Sequence, residues 1–272
     1  MAHPSPRGVL FPARLPTFAR LPPPDRVAHL VVHFWVPEWS VAPGRVSRQH
    51  VISFPASNLV VERGLVGLAG PTTRRSHRDL EGSGWAVGAL LRPAAVPAVS
   101  ARPADTVDRY QVLDAEDLRR AVAAAMDGEG TAEQRRSAAV TAFSAWLDDV
   151  TPPPTAEGEL ANRMAELLTS EPDVVTTAAA AERLHVSERT LQRLAARYVG
   201  VPPAAMIRRR RLQEAAERLR TDPGTGLADV AHELGYADHG HLTRDFRSVL
   251  GFTPSAYRAS EPPPATGGDL IR

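Results

Sequence analysis

Gln192, Arg193 and Arg197 lie three, four and eight residues beyond Arg189, so on a helix the four share one face. Arg can bond the O6 and N7 of guanine with two donors, and Gln can do the same for N6 and N7 of adenine; this face therefore has the chemistry of reading base edges in a DNA major groove. A second group, His239, His241, Thr243, Arg244 and Arg247, repeats the arrangement farther along the chain. Residues 25 to 113 contain no nucleophile triad, no phosphate-cradling Gly loop and no paired catalytic carboxylates. With no Cys in the chain, disulfides, thiolate metal sites and Cys nucleophiles are excluded.

The two groups belong to an internal repeat at an offset of 51 residues, with Leu191/Leu242, Arg193/Arg244, Gly200/Gly251, Pro203/Pro254 and Ala205/Ala256 in register. Each copy reads as helix, tight turn, helix. In the first, Ala180, Ala181 and Leu184 share a face, and Ala181 must be small because the second helix crosses there. Ser187 is a suitable N-cap and Glu188 suits the helix dipole. With Leu191, Leu194 and Tyr198 turned inward, the arginines and Gln192 are left outside. The second copy has Leu227, Val230, Ala231 and Leu234, turns at Gly235 with one residue more, and starts its second helix at Asp238. Leu242, Phe246, Val249 and Leu250 form its inner face, and Asp245 on the outer side predicts weaker binding than by the first copy. Between the copies, Ala204 to Arg220 predicts one helix of about 25 Å, able to hold two reading helices about one DNA turn, roughly 34 Å, apart. Of the run Arg208 to Arg211, one or two members are expected to reach phosphate, with the others pairing with Glu214 and Glu217.

Gly235-Tyr236-Ala237-Asp238-His239-Gly240-His241-Leu242-Thr243-Arg244-Asp245-Phe246-Arg247, followed by Gly251-Phe252-Thr253-Pro254-Ser255-Ala256-Tyr257-Arg258, closely resembles the signature of AraC/XylS-type transcriptional regulators. The resemblance extends through Ser187-Glu188-Arg189-Thr190-Leu191-Gln192-Arg193 and Arg210-Arg211-Leu212. It implies a monomeric reader with two motifs, in which Arg189, Gln192 and Arg193 face bases in one groove and His239, His241, Thr243 and Arg244 face the next. Ala195, where the family usually has an aromatic residue, and Met206-Ile207, which replace a Tyr-containing pair, predict a leaner core around the first motif. The segment Phe54-Pro55-Ala56-Ser57-Asn58-Leu59-Val60-Val61-Glu62, with Gly70-Pro71 and Arg92-Pro93, is similar to an uncharacterised sensory domain of actinobacterial AraC-type regulators. That likeness implies effector binding or dimerisation.

Upstream of the repeat, the runs 29–36, 51–54, 58–62, 65–68 and 85–91 are short, apolar and separated by turn residues, which predicts a β-rich barrel or a cupin-like domain. His29 and His33 with Trp35 are expected on one face of the first strand, and His50 and His77 lie in the same domain. No carboxylate follows at the spacing of a cupin metal motif, so a metal role ranks below ordinary strand alternation. Ala115 to Met126 and Thr131 to Val150 read as two helices. The expected fold is multidomain α+β, ending in an all-α double helix-turn-helix domain. Its parts are a Pro-rich segment over 1–24, a β-rich sensory or dimerisation domain over 25–113, a helical connector over 114–150, a Pro-rich linker over 151–158, the reader over 159–259 and a disordered tail over 260–272.

All 32 basic residues are Arg, matching GC-rich coding, and the formal charge of +1 confines any DNA affinity to a local patch. No stretch resembles a signal peptide or a membrane helix. The expectation is a cytoplasmic regulator, not an enzyme, with no cofactor, no metal and no membrane partner. Its expected partner is double-stranded DNA, with RNA polymerase, a small-molecule effector and a second copy bound through the N-terminal domain as further candidates. The alternative is a metal-dependent cupin-like enzyme domain tethered to a DNA-binding domain.

Overall fold

The computed structural model describes residues 17–51, 55–74, 76–222 and 224–260. Most of the expected Pro-rich start, part of the 51–54 run and the tail beyond Ser260 lie outside them. The described chain forms two compact units, which divide at Arg210/Arg211.

In the first unit, a six-stranded antiparallel sheet runs in the order β1-β2-β7-β4-β5-β8. Its strands are β1 (Thr17–Leu21), β2 (Val31–Ser40), β4 (Asn58–Glu62), β5 (Leu65–Ala69), β7 (Ser83–Leu91) and β8 (Tyr110–Leu113). The strands β3 (Ser47–Val51) and β6 (Ser76–Leu80) pair separately. The N-terminal region is thus β-rich as expected, and among the described residues β1 and β8 are the edges of this sheet. Alternation sends Phe34, Val36, Leu59, Val61, Val66, Leu68, Val87, Ala89 and Leu91 to one face. That face is covered by α2 (Glu116–Met126) and α3 (Ala132–Val150), whose Leu118, Val122, Phe143 and Leu147 complete the core. Phe34 meets Phe143 edge to face at 5.4 Å.

The opposite sheet face is aromatic. Trp35 lies so close over Gly88 that a Cβ there would come within 2.1 Å of the indole, and its Nε1 donates to Asn58 Oδ1 at 2.9 Å. His33 and Trp35, two residues apart, share this face, and a bulge between Val31 and His33 brings Val31 to the core side. His29 does not join them. It is exposed in the turn before β2, because the 3-10 turn Asp25–Val27 carries the chain on through Leu30 N–H donating to Val27 O. His50 and His77 oppose each other in the β3–β6 pair. Among the described residues no three His, Asp or Glu side chains gather in a metal-binding group.

Three prolines, 152–154, separate α3 from α4 (Ala156–Ser170). A single turn α1 (Val96–Val99) follows the 3-10 turn Pro93–Ala95, and α4 docks on that turn. Asn162 clamps the contact: its Oδ1 accepts from Ala94 N–H at 2.8 Å and its Nδ2 donates to His29 O at 3.1 Å. The unit also holds α5 (Thr177–Arg183) and α6 (Glu188–Tyr198). The helix α7 (Pro203–Thr221) begins in the first unit and ends in the second. In the second unit, α8 (Leu227–Glu233), α9 (His239–Leu250) and α10 (Pro254–Ser260) surround Leu242, Phe246, Leu250 and Tyr257. No described helix is long and apolar enough to cross a membrane.

Candidate nucleic-acid interface

The two helix-turn-helix motifs are built by the same local bonds. In the first, Leu184 N–H donates to Ala180 O and Val186 N–H to Ala181 O at 3.0 Å. In the second, Leu234 N–H donates to Val230 O and Tyr236 N–H to Ala231 O at 2.8 Å. Both chains reverse at a left-handed residue, His185 at φ 54° and Gly235 at φ 70°. Gly takes that conformation freely, whereas a side chain at His185 carries a steric cost. Ala181 and Ala231 are buried at the helix crossings, as their small size requires.

Each reading helix starts on a side-chain cap. Ser187 Oγ accepts from Thr190 N–H at 3.1 Å, and Asp238 Oδ1 accepts from His241 N–H at 2.6 Å. The bond from His241 N–H is the main cause holding the Asp238 carboxyl below its usual range. In α6, Leu191, Leu194, Ala195 and Tyr198 are buried, which leaves Arg189, Gln192, Arg193 and Arg197 exposed together. In α9, Leu242, Phe246, Val249 and Leu250 are buried; His239, His241, Arg244 and Arg247 are exposed and Thr243 is half-buried. His241 also sets its ring edge-on to Tyr236 at 5.2 Å.

The α6 face carries an acid that sequence spacing does not reveal. Glu157, in the first turn of α4, accepts from Arg193, from Arg197 at 2.6 Å and from the Tyr198 hydroxyl at 3.2 Å. The Arg193 bond is the leading cause that keeps this carboxyl below its ordinary range. Glu157 stands 36 residues from Arg193; its only sequence signal is its place just after the Thr155 cap.

Two members of the Arg208–Arg211 run are buried. Arg210 is 1% exposed and donates to four carbonyls beyond the end of α4 or within its last turn: Leu168 (3.4 Å), Glu171, Pro172 (3.3 Å) and Val174 (3.0 Å). Helix C-terminal carbonyls present partial negative charge, which helps to accommodate a buried cation there. Arg209, 4% exposed, donates to Thr72 O and to Thr72 Oγ1 at 3.2 Å, and burial pushes its pKa down to about 10. In the second unit Arg211 lies over the Tyr236 ring, 3.8 Å from its centre. Arg208 is the exposed member of the run.

Residues 180–260 match the model of a helix-turn-helix domain. The chain is 37% identical over 71 residues to the transcriptional activator AarP of Providencia stuartii, covering 26% of this chain and 52% of that protein. It is 37% identical over 83 residues to a putative AraC-like transcription regulator of Streptomyces lividans, covering 30% of this chain and 27% of the relative. The C-terminal region is a helix-turn-helix domain. The chain spans about half the length of AarP and about a quarter of the Streptomyces relative. Residues 19–112 match a domain of unknown function, DUF6597. Among solved structures, apo ToxT K231A of Vibrio cholerae is similar at 12% identity with a TM-score of 0.43, over 83% of this chain and 97% of that one. The C-terminal domain of AraT from Geobacillus stearothermophilus is similar at 20% identity with a TM-score of 0.38, over 43% of this chain and 97% of that one. The matched region runs from within α5 through α10 and starts beyond α4, so Glu157 lies outside it.

Proposed function

We propose that the protein is a cytoplasmic transcription regulator that binds double-stranded DNA sequence-specifically, with α6 and α9 reading two successive major grooves. The observation that carries this reading is the α6 face, where Arg189, Gln192, Arg193 and Arg197 stand exposed on a capped helix whose other side is buried. His239, His241, Thr243, Arg244 and Arg247 serve the second groove. Arg and Gln supply the bidentate groups for guanine and adenine, whereas contacts to the phosphate backbone carry no sequence information directly.

In this reading, residues 25–113 form a sensory or dimerisation domain without catalytic activity, 114–150 a helical connector and 159–259 the reader. A small effector has space in the first unit: a cavity of about 150 Å³ is lined by Val32, Leu90, Val96, Ala165, Tyr198 and Met206 among others, spanning strands, α4, α6 and α7. A cavity of this order holds a benzene-sized group. An effector there would touch both the sheet and the helix that carries the reading face. RNA polymerase is the partner through which bound DNA would be converted to a transcriptional outcome.

The test begins with selecting duplexes from genomic fragments using the full chain. Against the selected duplex, Arg193→Ala is expected to bind about 5- to 150-fold more weakly, the equivalent of one lost bidentate base contact of about 1 to 3 kcal/mol, with relaxed discrimination at one base position. Failure of the full chain to prefer any duplex over random DNA would overturn the reading.

A further inference from the structure

Glu157 is the one acid in hydrogen-bond contact with the exposed arginines of α6 among the contacts described, and its geometry divides their donors. It takes Arg193 through Nη1 and Arg197 through Nη1. A guanidinium carries five N–H donors in a rigid fork, so a bond through Nη1 leaves the Nε–Nη2 edge of Arg193, the pair of donors that matches guanine O6 and N7. The arginines remain 57% and 62% exposed while Glu157 is 27% exposed, so the guanidinium groups stay open to solvent although the carboxylate they bond is more covered. The Arg197 guanidinium also lies over the neighbouring Tyr198 ring, 5.5 Å from its centre.

Phosphate attracts any arginine regardless of sequence, and each added phosphate contact deepens binding to all DNA equally. A carboxylate bonded to two arginines cancels one of their two charges locally. It thereby lowers the sequence-independent attraction while fixing the orientation on which base reading depends. We propose that Glu157 is a positioning residue that determines specificity: it aims Arg193 at a base edge and withholds Arg197 from phosphate. This inference rests on the proposed entry of α6 into a major groove.

The test uses the full chain, the selected duplex and a random-sequence duplex of equal length, each titrated between 50 and 200 mM salt. Glu157→Gln is expected to bind random DNA about 3- to 10-fold more tightly at low salt, to steepen the salt dependence by about 0.9 of a log–log unit, and to lower the selected-to-random ratio about 5-fold or more. The same substitution in a chain that also carries Arg193→Ala and Arg197→Ala is expected to change neither ratio nor slope. A general role at the end of α4 would persist in that background, and a persisting effect overturns the proposal. An unchanged ratio and slope for Glu157→Gln in the otherwise unaltered chain also overturns it, and leaves α6 as the reader if Arg193→Ala still weakens selective binding. If the unaltered chain shows no selectivity, the failure lies with the proposed function itself.

Discussion

Replacing Arg210 separates a structural arginine from a phosphate contact. Its guanidinium is 1% exposed and bonds four carbonyls, at Leu168, Glu171, Pro172 and Val174, which tie the end of α4 to the approach to α5. In Arg210→Met the stem volume is kept and the donors are lost. Hydrogen bonds involving a charged group contribute about 1.5 to 3 kcal/mol each. The bonds to Leu168 and Pro172, at 3.4 and 3.3 Å, are long for N–H···O, so the gross loss rests mainly on Glu171 and Val174 and comes to about 3 to 6 kcal/mol. Relief from burying a cation offsets part of it, and a net destabilisation of about 3 kcal/mol is expected. For a chain of this size that corresponds to a melting point lower by roughly 6 to 12 °C. Thermal unfolding followed by circular dichroism, paired with DNA titration below the transition, is the assay. A melting point within 1 to 2 °C of the unaltered chain, together with a shallower salt dependence of DNA binding, would refute the reasoning and return Arg210 to the phosphate backbone.

Three further outcomes follow from the geometry. His185→Gly relieves a left-handed backbone position and is expected to stabilise the first motif by about 1 kcal/mol, seen as a higher urea midpoint; a lower midpoint would mean the His185 side chain contributes more than its strain costs. Burial, aided by Arg20, lowers the His33 pKa from 6.5 to about 4. The unfolded chain therefore binds the extra proton first, and stability falls as pH drops from about 6.5 toward 4, by at most about 3 kcal/mol from this group. His33→Gln should flatten that slope, and an identical pH profile would contradict the assignment. Arg211→Met and Tyr236→Leu, made singly and together, should show a coupling of about 1 to 2 kcal/mol in urea unfolding, against zero if their stacking is energetically silent.

What the sequence made legible was local. Ser187 and Asp238 cap the reading helices because a cap depends on residues two or three positions away, and the buried faces of α6 and α9 follow the 3.6-residue period. The strands over 58–62 and 85–91 were readable as apolar runs. By contrast β1 hides in a Pro-flanked stretch with only Phe18 and Leu21 as large apolar residues, which an edge strand tolerates because it is paired on one side. The fate of the Arg208–Arg211 run depended on carbonyls 36 to 42 residues away and on Thr72, 137 residues away, none of which leaves a spacing signal. Nor did the sequence show that α2 and α3 supply the lid of the sheet core, since an Ala-rich amphipathic helix does not name the face it covers. Glu157 was missed for the same reason: an acid in a first helical turn ordinarily serves that helix's own dipole.

The central claim is that one chain reads two successive grooves, joined by α7, a continuous helix of 19 residues and about 28 Å. It is tested most directly by inserting base pairs between the two halves of the selected duplex, which are expected about 10 to 11 base pairs apart. Five inserted base pairs turn one half away by half a helical turn. The full chain should then lose at least about tenfold in affinity, and Arg244→Ala should no longer weaken binding to the altered duplex. Affinity unchanged by the insertion, with Arg244→Ala equally harmful on both duplexes, would contradict simultaneous reading by the two motifs.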